Sequence, residues 1–118
     1  GVEGFVVNGA TGECAAATTN SIREQILALE ALPETPFLLG VGGPDLDTSR
    51  RLLRLAAEHG ARAALVPVPY FFRYGSEEAV AFVQSLAAEA SLPLLLYNLP
   101  QFTSGYEPEA VMALSSTA

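Results

Sequence analysis

At 118 residues and 12.4 kDa the chain is the size of one small domain, with room for a single hydrophobic core. Its formal net charge is -7 and its six basic residues are all arginines, so it offers no basic stripe to a nucleic acid backbone or an anionic membrane. The longest apolar run, about Ala63 to Phe72, is broken by two prolines and falls short of the ~18 residues of a membrane-spanning helix. Gly1-Val2-Glu3 lacks the basic segment of a signal peptide, and the single cysteine, Cys14, cannot form an internal disulfide, so a reducing, cytoplasmic setting is expected.

In chain order, the first apolar run is GFVVNG (4–9), short and nearly continuous, as a strand buried on both faces reads. It leads into GATGE (Gly9 to Glu13), a glycine-bounded loop whose backbone amides can turn toward an anion beside the Thr11 hydroxyl. This loop is neither a P-loop, since the Gly-Lys-Ser/Thr ending is absent, nor a Gly-x-Gly-x-x-Gly fingerprint. Cys14 reads as a small buried hydrophobe. SIREQILALEAL has a helical period, with Ser21 three residues before Glu24 as a capping box and Pro33 as its stop.

FLLGVGG (37–43) reads as the second strand. DTSRRLLRLAAEHG follows as a helix capped by Asp45 or Asp47 and stopped at Gly60, with His59 in the last turn, where a cation suits the helix dipole. Arg50, Arg51 and Arg54 mark a solvated helix face. AALVPVP (63–69) is the third strand, and SEEAVAFVQSLAAEA the third helix, acidic in its first turn. PLLLYN (93–98) is the fourth strand, and PEAVMALS a last helix with Pro108 at its first position. On its own, Tyr97 at the end of an apolar strand reads more readily as a core aromatic than as a reagent.

Alternation of strand and helix at about 30 residues per unit implies a parallel sheet with crossover helices. Two architectures fit: a four-stranded part of an open doubly wound sheet, or half of an eight-unit barrel. In both, functional groups sit on the loops after the carboxyl ends of the strands, here NGATGEC, GGPD, PYFFRYGS and NLPQFTSGYEP. An apolar content of 50% and a mean hydropathy of +0.31 suit part of a larger fold whose remainder covers apolar surface.

GATGE, GVGG, PYFF and YNLP, one after each strand in this order, resemble the dihydrodipicolinate synthase and N-acetylneuraminate lyase superfamily. The resemblance covers essentially the whole chain and implies a partial (β/α)8 TIM barrel, roughly its second to fifth βα units, with residues 1–118 as a fragment of one barrel domain. It also implies making or breaking of carbon–carbon bonds between a 2-keto acid such as pyruvate and an aldehyde, through a lysine Schiff base, without a metal or other cofactor. A homo-oligomer is expected on the same ground.

Matched residue by residue, the resemblance makes Thr11, flanked by Ala10 and Gly12, the binder of the keto-acid carboxylate, and Tyr97 the proton shuttle. A phenol is a poor acid free in water and becomes useful when held within hydrogen-bond reach of the reacting oxygen. The synthases carry a threonine, a tyrosine and an arginine where this chain has Ala10, Phe71 and Phe102. That pattern disfavours the synthase and resembles aldolases of 2-keto-3-deoxy sugar acids, with Tyr70 and Phe71 as apolar wall. The family's lysine belongs one unit beyond Tyr97, yet the chain contains no lysine at all. Three alternatives remain at this point: a catalytically inactive keto-acid-binding barrel, dihydrodipicolinate synthase proper, and a flavodoxin-like open sheet binding an anion at GATGE.

Overall fold

Each of the four apolar runs forms a strand in the computed structural model, which describes residues 1–32 and 34–116. The strands β1 (Phe5–Val7), β2 (Phe37–Gly40), β3 (Ala64–Val66) and β4 (Leu94–Leu96) alternate with helices α1 (Thr19–Glu30), α2 (Leu46–Glu58), α3 (Ser76–Ala87) and α4 (Pro108–Ser115). All strand pairs are parallel, and the spatial order is β1-β2-β3-β4. This order separates the two architectures. A doubly wound sheet reverses direction at a switch point; here every crossover advances by one strand the same way, as in a (β/α)8 barrel. The flavodoxin-like alternative fails because the order does not reverse at β1.

Side-chain alternation divides the sheet into two faces. Phe37, Leu39 and Val41 along β2, and Ala64, Val66 and Val68 along β3, are buried against the helices. The intervening positions, Val6, Leu38, Leu65 and Leu95, stand on the opposite face, which is the interior face of a barrel, and Val6 and Leu95 are exposed. Both faces are apolar because both are core faces in this architecture, which is why the runs read as continuous rather than alternating. The register pairs Val6 with Leu38 and Leu65 with Leu95, so the interior positions line up in layers.

The helices follow from local signals with three adjustments. Helix α1 begins earlier than Ser21: Thr18 Oγ1 accepts the Ser21 amide at 3.1 Å while Ser21 Oγ accepts the Thr18 amide at 2.9 Å. The capping box is thus Thr18 with Ser21 rather than Ser21 with Glu24, a hydroxyl serving where glutamate is the commoner partner. The stop assigned to Pro33 lies outside the described residues. Helix α2 is capped by Asp45, whose Oδ1 accepts the Thr48 amide at 2.7 Å, and it ends at His59 before Gly60 at φ +71°. His59 Nδ1 lies 2.8 Å from Glu30 Oε1, joining the ends of α1 and α2.

The second adjustment concerns Arg50, whose Nε donates to Glu89 Oε1 at 2.6 Å, just beyond α3. It is therefore a link between packed helices, not a purely solvated side chain, because α2 and α3 lie side by side on the sheet. Helix α3 buries Ala79, Phe82, Val83 and Leu86, the i, i+3, i+4, i+7 stripe of a core-facing helix. The third is Cys14, which is half-buried rather than part of the core.

Candidate active site

The loops after the four strands gather at one end of the sheet, and the sequence controls each exit. At the end of β1, Asn8 adopts φ +58°, a conformation asparagine tolerates better than most residues. It is buried, and its Nδ2 donates to the Gly40 carbonyl at 2.8 Å. The turned backbone passes so close to β2 that a Cβ on Gly40 would lie 2.1 Å from the Asn8 carbonyl oxygen. Only glycine fits there, and the contact fixes where the next segment starts. That segment is a 3₁₀ turn, Ala10–Gly12, closed by the Gly12 amide donating to Gly9 O at 3.0 Å and followed by Glu13 at φ +58°.

At the end of β4 the ladder extends one residue, the Tyr97 amide donating to Val66 O at 2.9 Å. Alternation puts Tyr97 on the same face as Leu95, the barrel-interior face, where it is half-buried. Asn98 then holds the loop closed: its Oδ1 accepts the Tyr106 amide at 3.0 Å and its Nδ2 donates to Tyr106 O at 3.4 Å. Between these points Leu99 O accepts the amides of Phe102 at 3.0 Å and Thr103 at 2.9 Å. Gly105 returns the chain at φ +75°. The buried Tyr106 hydroxyl donates to Val66 O at 2.8 Å, and burial pushes its pKa well above the ordinary phenol value. A further bond, from the Tyr74 amide to Ser104 Oγ at 2.8 Å, joins the loops after β3 and β4.

These loops line an open cavity of about 430 Å³, with Ala10 and Cys14 after β1, Gly42 after β2, Pro67 and Tyr70 after β3, and Phe102 after β4 on its wall. A cleft at the carboxyl ends of parallel strands is where this architecture places its chemistry. The amino-acid sequence matches the dihydrodipicolinate synthetase family over residues 1–118. The chain belongs to that family.

Among relatives, the 4-hydroxy-tetrahydrodipicolinate synthase of Salinibacter ruber is 34% identical over 98% of this chain and 39% of its own length. The 2-keto 3-deoxygluconate aldolase from Picrophilus torridus superposes with a TM-score of 0.91 at 25% identity, covering 99% of this chain and 43% of that one. A prophage protein of the dihydrodipicolinic acid synthase family from Escherichia coli K12, solved in complex with pyruvate, gives 0.89 at 25% identity, covering 99% and 40%. The chain thus spans about two fifths of the length of these relatives. The dihydrodipicolinate synthetase family is one of lyases and aldolases, and the shared fold is the (β/α)8 barrel, here present in part.

Within this family member, Ala10, Tyr70 and Phe102 come together on the cavity wall. Thr11 and Gly12 occupy the adjoining turn, both exposed, and the Thr11 hydroxyl bonds to no described residue. Phe71 is 70% exposed, packs edge-to-face on Phe72 with ring centroids 4.8 Å apart, and lines a neighbouring depression rather than the cavity. Tyr97 stands at the end of β4 and does not line the cavity.

Sequence reasoning missed Asn8, Asn98, Tyr106 and the position of Cys14 at the cavity. Asn8 was signalled by an asparagine directly before a glycine at a strand end, and Tyr106 by the glycine before it. The partners of both lie far away in sequence. Among the described residues no cluster of His, Cys, Asp or Glu is arranged to hold a metal ion, and no helix is long and apolar enough to cross a membrane.

Proposed function

We propose that the chain is part of a Schiff-base lyase that makes or cleaves a carbon–carbon bond between pyruvate, or another 2-keto acid, and an aldehyde. The observation that carries this reading is that the GATGE turn, Tyr97 and a cavity of about 430 Å³ all lie at the carboxyl ends of the strands, in a family of which one Escherichia coli member was solved with pyruvate. In this reading the amides and hydroxyl of the turn, Ala10 to Gly12, bind the keto-acid carboxylate. The C2 carbonyl condenses with a lysine amine, releasing water, and loss of a C3 proton gives an enamine. Its carbon attacks the aldehyde carbonyl, the carbonyl electron pair moves to oxygen, and Tyr97 supplies the proton to that oxygen. Water then hydrolyses the imine and frees the lysine.

The chain contains no lysine, so the amine comes from a part of the barrel outside these residues, and these residues alone are inactive. Ala10 and Phe71, which lack hydroxyls where the synthases carry them, favour as second reading a barrel that binds the keto acid without turning it over. Borohydride reduction of the full-length protein with pyruvate, followed by mass spectrometry, tests both. A covalent pyruvate adduct on a lysine is expected. Binding of pyruvate without an adduct sinks the lyase reading in favour of the second.

A further inference from the structure

The cavity has a chemical character that membership of the family leaves open. Small residues, Ala10, Ala15, Ala16 and Gly42, leave room on one side, and Leu99 and the 69% exposed ring of Phe102 supply apolar surface on the other. A volume of about 430 Å³ suits a small organic tail. The polar side-chain groups are few: the Tyr70 hydroxyl, the Cys14 thiol, Thr103 and Glu13. Thr103 Oγ1 is already committed, donating to Leu99 O at 3.2 Å and accepting the Gly105 amide at 3.0 Å. Glu13 is the charged residue on this wall, and it is an acid.

Cations are few over the strand-end face as well, where Arg51 stands near Asp45. Arg73 lies on its loops and lines the neighbouring depression, which shares Tyr70, Phe102 and Thr103 with the cavity. Against it stand Glu13, Asp45 capping α2, Glu77 and Glu78 in the first turn of α3, and Glu107 capping α4. A phosphate or carboxylate on the aldehyde would meet no counter-ion on this wall and would face an acid. A polyhydroxylated chain would give up more bonds to water than the Tyr70 hydroxyl and the Cys14 thiol on this wall could replace. An alkyl or aryl tail loses nothing by leaving water and gains contact with Phe102 and Leu99.

We propose that the aldehyde used at this site is uncharged and carries an apolar tail, which lies against Phe102 and Leu99, in place of the hydroxylated aldehyde that the resemblance to 2-keto-3-deoxy sugar acid aldolases implies. The inference rests on the lyase reading above. The reaction joins C3 of pyruvate to the aldehyde carbon and yields a 4-hydroxy-2-keto acid with an alkyl or aryl substituent, the aldehyde oxygen taking up the proton that C3 gives up.

The test uses the full-length protein in two arms. Borohydride trapping with pyruvate reports the Schiff base. Steady-state kinetics with pyruvate then compare butanal and benzaldehyde with glyceraldehyde, succinic semialdehyde and glyceraldehyde 3-phosphate. The expected result is a pyruvate adduct and a kcat/KM for butanal or benzaldehyde at least about 10-fold above that of each of the other three. Phe102→Arg, a change at an exposed position, should narrow the gap to succinic semialdehyde by about 10-fold or more. An adduct with equal or better use of a hydroxylated or anionic aldehyde overturns this inference and leaves the lyase reading standing. No adduct overturns both. An aldehyde preference unmoved by Phe102→Arg overturns the role given to Phe102.

Discussion

Tyr106 and Val66, 40 residues apart, are joined by a hydrogen bond of 2.8 Å from the buried phenol to the main-chain carbonyl. The same oxygen accepts the Tyr97 amide at 2.9 Å. One carbonyl at the end of β3 therefore anchors both the start and the return of the loop after β4. Replacing Tyr106 by phenylalanine leaves Val66 O with a partner, so the cost should stay near ~1 kcal/mol in denaturant unfolding.

That contribution has a defined pH window. Burial raises the Tyr106 pKa above its ordinary 10.0, so above about pH 10 the unfolded chain releases a proton that the folded one keeps. The stabilisation is complete below that pH and falls above it by about 1.4 kcal/mol per pH unit. The stability difference between wild type and Tyr106→Phe should shrink between about pH 9 and about pH 11. A difference that stays constant there would mean the phenol is not buried as described.

Asp45 behaves in the opposite sense. The Thr48 amide, followed by the Thr48 side chain, holds its carboxyl below the usual 3.8. Its capping contribution is present above that value and is lost as pH falls through the lowered folded value. Asp45→Ala should cost about 1 kcal/mol at neutral pH and Asp45→Asn much less, since an amide oxygen still caps. Thermal unfolding should show the Asp45→Ala deficit fading as the pH falls below 3.8.

Gly40 and Gly12 give a matched pair of substitutions. A Cβ at position 40 would lie 2.1 Å from Asn8 O and 2.8 Å from its carbonyl carbon, both main-chain atoms, whereas one at position 12 meets nothing within 4 Å. Gly40→Ala should destabilise by at least about 3 kcal/mol or abolish folding, and Gly12→Ala by no more than about 1 kcal/mol. Similar costs for the two would remove the close approach of Asn8 to β2 as the device that places the GATGE turn.

Tyr97 and Tyr106 share an acceptor through different atoms, and the two should part company in function. Tyr97→Phe keeps the main-chain bond to Val66 and should leave stability within about 1 kcal/mol. In the full-length protein it should lower kcat by about 100-fold or more if the phenol transfers protons. Tyr106→Phe should change kcat far less than it changes stability. A Tyr97→Phe enzyme with near wild-type kcat would return Tyr97 to the status of a core aromatic.

The sequence by itself determined the four strands, the helices with start signals at Asp45 or Asp47 and at Pro108, and the family, because these rest on signals a few residues long: apolar runs, caps, breakers, and motifs such as GATGE and YNLP. Its periodicity could not choose between a barrel and an open sheet, since strand and helix alternate identically in both, and only the resemblance carried by GATGE, GVGG, PYFF and YNLP implied the barrel. That choice lies in the spatial order β1-β2-β3-β4. Nor could it say what the asparagine and proline beside Tyr97 do. Asn98 binds both main-chain polar groups of Tyr106, and a Cβ at Gly105 would come within 3.4 Å of Pro100 Cβ, so the two residues shape a closed loop. Arg50 looked solvated until α3 and its neighbour Glu89 lay beside it. Each of these is a contact between segments distant in sequence. Local propensity is silent about such contacts, because only packing the helices on the sheet brings the partners within reach.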